Sequence, residues 1–362
     1  MTFGKLGKYV ALILLCAEVS PLFAKKSSEL VYTEPFDLAA GGTTLTRASQ
    51  EGIVFANPAL LPLGAATIRW VGLETAFIVD REMAQNGSSN IKAAADTSDP
   101  NFVDGLFARS LHFGQSASLS FLNANFAISV FDRVEVDVEG SRYDNGGLPQ
   151  LNLGVEAYAG VMGTTAVKPF RWLSLGMTGK YLYMGDPIIE IPVTDEARIK
   201  ALTADTSALR DEIKYGKGLG ADLGMLLFWQ TNYVDLSLGV KIEDVSGTKL
   251  SNGQETLPQT TNAGLGLAFH GSTSVLHLSL DYRDIYDAYD EKKFKKIYLG
   301  ARLMLAQVVG VAVGLYQGIP TFGVRFDALF FKFGATAYGR ELGSYPGDKQ
   351  RNMVTIYTSI GF

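Results

Sequence analysis

The sequence predicts an all-β protein: a 14-stranded antiparallel transmembrane β-barrel with long extracellular loops. Three observations carry that expectation. Apolar residues alternate with polar or small ones at period 2 from about residue 66 to the end. The breaks between alternating segments are long and short in turn, the rim asymmetry of an outer-membrane barrel. The chain also opens on a secretory address and closes on an aromatic strand end, Phe362.

Composition closes several classes. Of 362 residues, 47% are hydrophobic and 19% charged, with 39 glycines and a formal net charge of -5. A typical soluble domain carries about 25% charged residues. So much apolar and aromatic material excludes intrinsic disorder, and a pI near 5.4 leaves no basic footprint for nucleic acid. One cysteine and three histidines give no framework for disulfides, zinc or iron–sulfur clusters, so neither a metal site nor a cofactor is expected.

Residues 1–24 read as a signal peptide. Lys5 and Lys8 form the positive start, 9–16 is a short apolar run, and Pro21-Leu22-Phe23-Ala24 precedes Lys25-Lys26. Cleavage is expected after Ala24, with bulky Leu22 the one imperfect position. Leu15 before Cys16 speaks against a lipoprotein anchor at that cysteine. Export of this kind points to the outer membrane of a Gram-negative-type cell.

The strand segments follow in order near 66–79, 115–122, 125–138, 150–166, 172–184, 217–229 and 233–243. The second half continues at 259–269, 275–285, 295–305, 309–317, 320–327, 329–340 and 351–362. The clearest stripe sets Val234, Leu236, Leu238, Val240 and Ile242 against Asp235, Ser237, Gly239, Lys241 and Glu243. Another sets Leu276, Leu278, Leu280 and Tyr282 against His277, Ser279, Asp281 and Arg283. The connections 80–114, 139–149, 185–216, 244–258, 286–294 and 341–350 are long. Those near 123–124, 168–171, 230–232, 270–274, 306–308 and 328 are short; only 318–319 is short where a long one is due. Fourteen is even, so both barrel ends fall on the short-turn side, and spans near ten residues suit a tilted crossing of the hydrocarbon layer.

Two rivals stand against this reading. Residues 303–324 carry no charge and could by length form a transmembrane helix, but Gly310, Gly314, Gly318 and Pro320 interrupt them. A soluble secreted β-sandwich would also alternate. The terminal stripe Val354, Ile356, Thr358, Ile360, Phe362 argues for the barrel, since it resembles the terminal-strand signal read by the barrel assembly machinery.

If the apolar stripes face lipid, the opposite faces line the lumen. By parity these include Glu74, Glu156, Lys180, Asp222, Asp235, Lys241, Glu243, Asp281, Arg283, Lys296, Arg302, Arg325, Asp327, Lys332 and Arg340. Both signs occur in similar number, and buried charges must be paired or hydrated. A structural salt-bridge network is therefore expected, rather than the single-sign ring of a selectivity filter.

Residues 25–65 do not alternate. They contain the pair Gly41-Gly42, then Arg47-Ala48-Ser49-Gln50-Glu51, then Asn57-Pro58-Ala59-Leu60 just before the first strand. Asn57-Pro58 initiates a turn on local grounds. With the signal peptide, the fourteen strands and the terminal aromatic, this plan resembles the FadL family of outer-membrane channels for hydrophobic compounds. The resemblance implies an N-terminal hatch, residues 25–65, folded inside a barrel of residues 66–362. It implies that Asn57, Pro58 and Ala59 anchor that hatch and that its shift opens a path for apolar ligands. Two places differ from the family pattern. Arg47-Ala48-Ser49-Gln50-Glu51 stands where an acidic stretch is usual, and 125–138 has no Gly or Pro kink to mark a lateral exit in the third strand.

One long connection reads as helical, about 194–214, with Thr194 as N-cap and Ile199, Leu202, Leu209 and Ile213 on one stripe. Phe102, Val103, Leu106 and Phe107 in the first long connection would supply the other half of an apolar landing surface. An enzyme is not expected. His112 reads as a strand edge, while His270 and His277 read as roughly 20 Å apart along one strand, so no base meets a nucleophile. The expectation is passive uptake of small hydrophobic, long-chain fatty-acid-like molecules by a monomer among membrane lipid and lipopolysaccharide. The alternative is a barrel component of a secretion or conjugation apparatus, as in the related PorV-like and TraF-like barrels, binding a protein partner.

Overall fold

The computed structural model describes residues 32–64, 69–80, 111–141, 150–185, 188–192, 216–251, 256–341 and 350–361. Its first strands are β1 (Arg69–Asp80), β2 (Leu111–Leu122), β3 (Phe126–Ser141), β4 (Gln150–Phe170), β5 (Leu173–Gly185) and β6 (Ile188–Pro192). Next come β7 (Gly216–Gln230), β8 (Val234–Glu243), β9 (Thr260–His270), β10 (Ser274–Tyr282) and β11 (Ile297–Leu305). The last are β12 (Val309–Tyr316), β13 (Ile319–Ala328), β14 (Phe331–Glu341) and β15 (Gln350–Gly361). The signal peptide and Phe362 lie outside the described residues.

These strands form one antiparallel sheet that closes on itself. Neighbours in sequence are neighbours in the sheet, β1 pairs with β15, and β3 pairs with β4. Closure leaves the backbone hydrogen-bonded within the wall, as a span of lipid demands. Fifteen strands make fourteen staves, because β6 continues β5: Gly154 to Gln150 of β4 pair with Ile188 to Pro192, beyond the end of β5. The sequence reading placed these residues in a loop. Ile188-Ile189-Glu190-Ile191 does not alternate, and only the overhang of the 21-residue β4 draws it into the wall. The other staves fall within a few residues of expectation. The largest differences are β2, which begins at Leu111, and β4, which runs on to Phe170, while β10 stops at Tyr282. After β10 the chain turns at Asp284, whose carboxylate accepts the Ala288 and Tyr289 N–H groups.

Alternation sorts the faces as lipid requires. Leu236, Leu278 and Leu280 are exposed on the outside, while Lys241, Asp281 and Arg302 are buried within. Exposed Phe126, Phe170, Trp172, Trp229, Tyr233, Phe330 and Phe331 cluster where the strands meet the short turns, the position of an aromatic girdle. Residues 303–324 fold as strand, not helix. Gln317 (φ 53) and Gly318 (φ 83) form the two-residue turn between β12 and β13. Positive φ at both central positions matches the strand twist, which explains the one short connection on the long-loop rim.

Residues 32–64 lie inside the barrel. This inner segment holds a short helix, α1 (Pro35–Ala39), and a 3-10 turn, Pro58–Leu60. One flank packs Ile53, Phe55, Leu60 and Leu61 against Leu122, Phe131, Leu182, Met184 and Leu226. The other sets Phe36 and Leu38 among Ala312, Tyr357, Tyr298, Tyr316 and Tyr338. The backbone docks directly on wall glycines, Pro58 on Gly176, Leu45 on Gly239 and Ala40 on Gly300 and Gly314, while the Pro58 ring sits on Gly224 and the Ala39 Cβ on Gly323. A Cβ on any of these would stand under 3.0 Å from the inner segment. Gly41 (φ 65) meets the wall from its own side, against the Leu299 and Leu315 backbone.

Replacing Gly300 by Ala should therefore destabilise the folded barrel by about 1–3 kcal/mol, the usual cost of overpacking. Gly163→Ala and Gly179→Ala, with nothing within 4 Å, should stay within about 0.5 kcal/mol. The melting of the folded band in unheated gels distinguishes the two outcomes.

Candidate functional site

The inner segment and the wall around it form the site. Asn57 caps the 3-10 turn, its Oδ1 accepting the Ala59 N–H at 3.1 Å. Its Nδ2 donates to Leu45 O at 2.9 Å and to Met225 O on β7 at 3.2 Å. One buried amide thus ties two parts of the segment to each other and to the wall. Pro58 supplies a fixed φ at the first position of the turn and sits in the Gly176–Gly224 saddle. Ala59 is wholly buried beside it.

The rest of the segment is held by charge. Asp37 takes Arg302 Nη1 at 2.7 Å and the Ser49 N–H at 2.8 Å, and Arg302 also donates to Thr43 O. Asp281 accepts the N–H groups of Thr44 and Leu45 at 2.8 and 3.1 Å, and Arg283 donates to Gly42 O. Lys332 pairs with Glu51 at 2.6 Å, Lys241 donates to Phe55 O at 3.2 Å, and the Tyr32 hydroxyl donates to Glu74 at 2.8 Å. Thr321 and Thr336 donate to Ala39 O and Pro35 O, each at 2.8 Å. Burial, and then neighbouring Asp37, push the Glu34 carboxyl up to about 8.

The lumen charges are therefore not one network. Lys180 joins Asp222 and Asp244, and Lys241 joins Asp222 and Glu243. Arg340 joins Glu135 and Glu156. Arg325 meets Asp327 at 2.8 Å and lies over the Phe36 ring at 4.4 Å. The sequence reading missed the inner segment's own acids, Asp37 and Glu51, because no period marks a face on an irregular segment. It also missed a cluster on the long-loop half, where fully buried His112 sits between Asp137 at 2.6 Å and Glu135 at 3.3 Å. Arg351 reaches the same Asp137. His112 is the second residue of β2, at the loop-to-strand edge as expected.

The other two histidines need a correction. His270 and His277 stand on opposite arms of the β9–β10 hairpin, with Val275 facing His270 and Ala268 facing His277. The 271–273 turn folds the chain back, so they are diagonal neighbours at roughly 7–8 Å, not the ends of one strand. His270 bonds Asp235 across β8–β9 at 2.8 Å. The loop residues Phe102, Val103, Leu106, Phe107, Ile199, Leu202, Leu209 and Ile213 lie outside the described residues.

Below the inner segment a cavity of about 750 Å³ reaches the short-turn rim. Phe36, Ile53, Leu63, Leu226 and Phe228 give it an apolar side; Arg47, Arg302, Arg325 and Lys332 give it a cationic one. The wall itself is continuous at the third strand: β3 pairs without a register shift from Phe126 to Ser141 with β4, and from Ala127 to Val138 with β2.

A closed barrel of fourteen staves, filled by the chain's own N-terminal segment, is the FadL-type channel fold. Among solved structures the chain is similar to the toluene transporter TbuX of Ralstonia pickettii, at 12% identity and TM-score 0.55, over 92% of this chain and 99% of that one. It is similar also to the toluene transporter TodX of Pseudomonas putida, at 11% identity and TM-score 0.51, over 95% and 99%. No protein-family model and no curated protein matches.

Two substitutions probe the anchoring. Asp37→Ala leaves Arg302 buried without its carboxylate and should cost about 3–5 kcal/mol. Asn57→Ala leaves the Leu45 and Met225 carbonyls short of a donor and should cost about 1–3 kcal/mol. Both should speed protease cleavage within 32–64 ahead of the strands, read by mass mapping of the fragments.

Proposed function

We propose that the protein is a passive outer-membrane channel for small hydrophobic molecules. The observation that carries this reading is the barrel filled by its own N-terminal segment, with an apolar-sided cavity beneath it. The solved barrels of similar fold are described as toluene transporters. Ligand would be taken up at the long-loop rim, pass the inner segment as the turn at Asn57-Pro58 gives way, and leave through the cavity. The continuity of β3 with its neighbours favours this route through the lumen over a side exit. The driving force is downhill partition of apolar surface, about 0.8 kcal/mol per methylene for a fatty-acid-like chain, and no energy source is needed.

Cells carrying the chain in their outer membrane should take up labelled toluene or a long-chain fatty acid several-fold faster than cells without it. Uptake of both ligands at the same rate with and without the chain would overturn the reading. Native mass spectrometry of the detergent-purified protein adds a second check. A stoichiometric protein companion with an empty barrel would support the secretion or conjugation role instead.

A further inference from the structure

The cavity beneath the inner segment carries more positive charge than hydrocarbon passage requires. Arg325 is engaged by Asp327, Lys332 by Glu51 and Arg302 by Asp37. Asp235, the other carboxylate on the cavity, is engaged by His270. Arg47 is different. It sits on the inner segment, faces the cavity and is exposed to it, and it makes no hydrogen bond or ion pair among the described residues. Burial and the nearby Arg302 guanidinium both push Arg47 below its ordinary range, so it stands where an anion would relieve it. Two buried donors are also left over: Arg302 Nε and Arg325 Nη1 have no hydrogen-bond partner. Both guanidinium groups are more than nine-tenths buried.

We propose that this cavity is an anion site on the short-turn side of the inner segment, where Arg47, Arg302 and Arg325 receive the carboxylate of a compact aromatic acid. Guanidinium groups suit this ligand because their planar donors match a carboxylate pairwise. Phe36, Ile53, Leu226 and Phe228 offer the apolar side on which the ring would rest. At about 750 Å³ the cavity falls in the size range of small-molecule pockets. The inference goes beyond hydrophobic uptake and requires only the barrel and its inner segment.

Benzoate and toluene share a ring and differ by the carboxylate, so they separate the two readings. Both are titrated into the full detergent-solubilised protein at low ionic strength, using the wild type, Arg47→Gln and Arg47→Lys. Migration of the folded band in unheated gels confirms that each variant is assembled. The expected result is benzoate binding by the wild type. The ratio of benzoate to toluene affinity should fall about tenfold in Arg47→Gln, the equivalent of one lost charge-assisted bond, and recover in part in Arg47→Lys. Benzoate bound equally by wild type and Arg47→Gln, or by neither, would overturn the site. Full displacement by equimolar chloride would overturn its preference for an acid with an apolar body. Loss of toluene uptake with benzoate binding intact would count against the channel and leave the site standing.

Discussion

A chain threaded through the inside of a barrel must find partners for its backbone, and that requirement shapes most of this molecule. The inner segment has only a five-residue helix and a three-residue 3-10 turn of its own. Many of its N–H and C=O groups therefore remain unanswered within the segment, and burying them unpaired would be costly. The wall answers with side chains: Asp281 for two N–H groups, Arg283, Arg302, Lys241, Thr321 and Thr336 for carbonyls. Glycines supply the close approach that these bonds need. The same residues that look like a pore lining are thus the mounting of the inner segment.

The mounting is uneven. Toward β2 to β5 and β7 the segment is packed dry, with Tyr32, Phe55 and Phe131 in mutual ring contact at 4.3 to 5.7 Å. Toward β11 to β15 it docks as well, with Ala40 on Gly300 and Gly314 and Phe36 among Ala312 and Tyr357, and the cavity opens on its short-turn side. The Arg302 and Lys332 ends of the ties to Asp37 and Glu51 line that cavity.

Much of this was legible in the sequence. Period-2 alternation located every stave but the β5–β6 one to within a few residues, because lipid outside and charge inside impose opposite demands on successive side chains. Parity placed Lys180, Asp222, Lys241, Asp281, Arg283 and Arg302 inward for the same reason. Gly41-Gly42 and Asn57-Pro58 stood out locally, since left-handed φ and proline restriction leave a mark in residue type.

What tertiary structure alone decided is who meets whom. Asp37 finds Arg302 across 265 residues, and Lys332 finds Glu51 across 281. Pairings at such separation leave no periodic trace, and the irregular inner segment has no face from which parity could be counted. β6 extends the β5 stave only because β4 outreaches β5, and the two histidines of β9 and β10 become neighbours only when their turn closes. Strand and stripe are written one residue at a time, since each side chain meets lipid or lumen independently. The salt bridges, the glycine saddle and the cavity belong to the closed barrel, because they come into being only when distant staves surround the same segment.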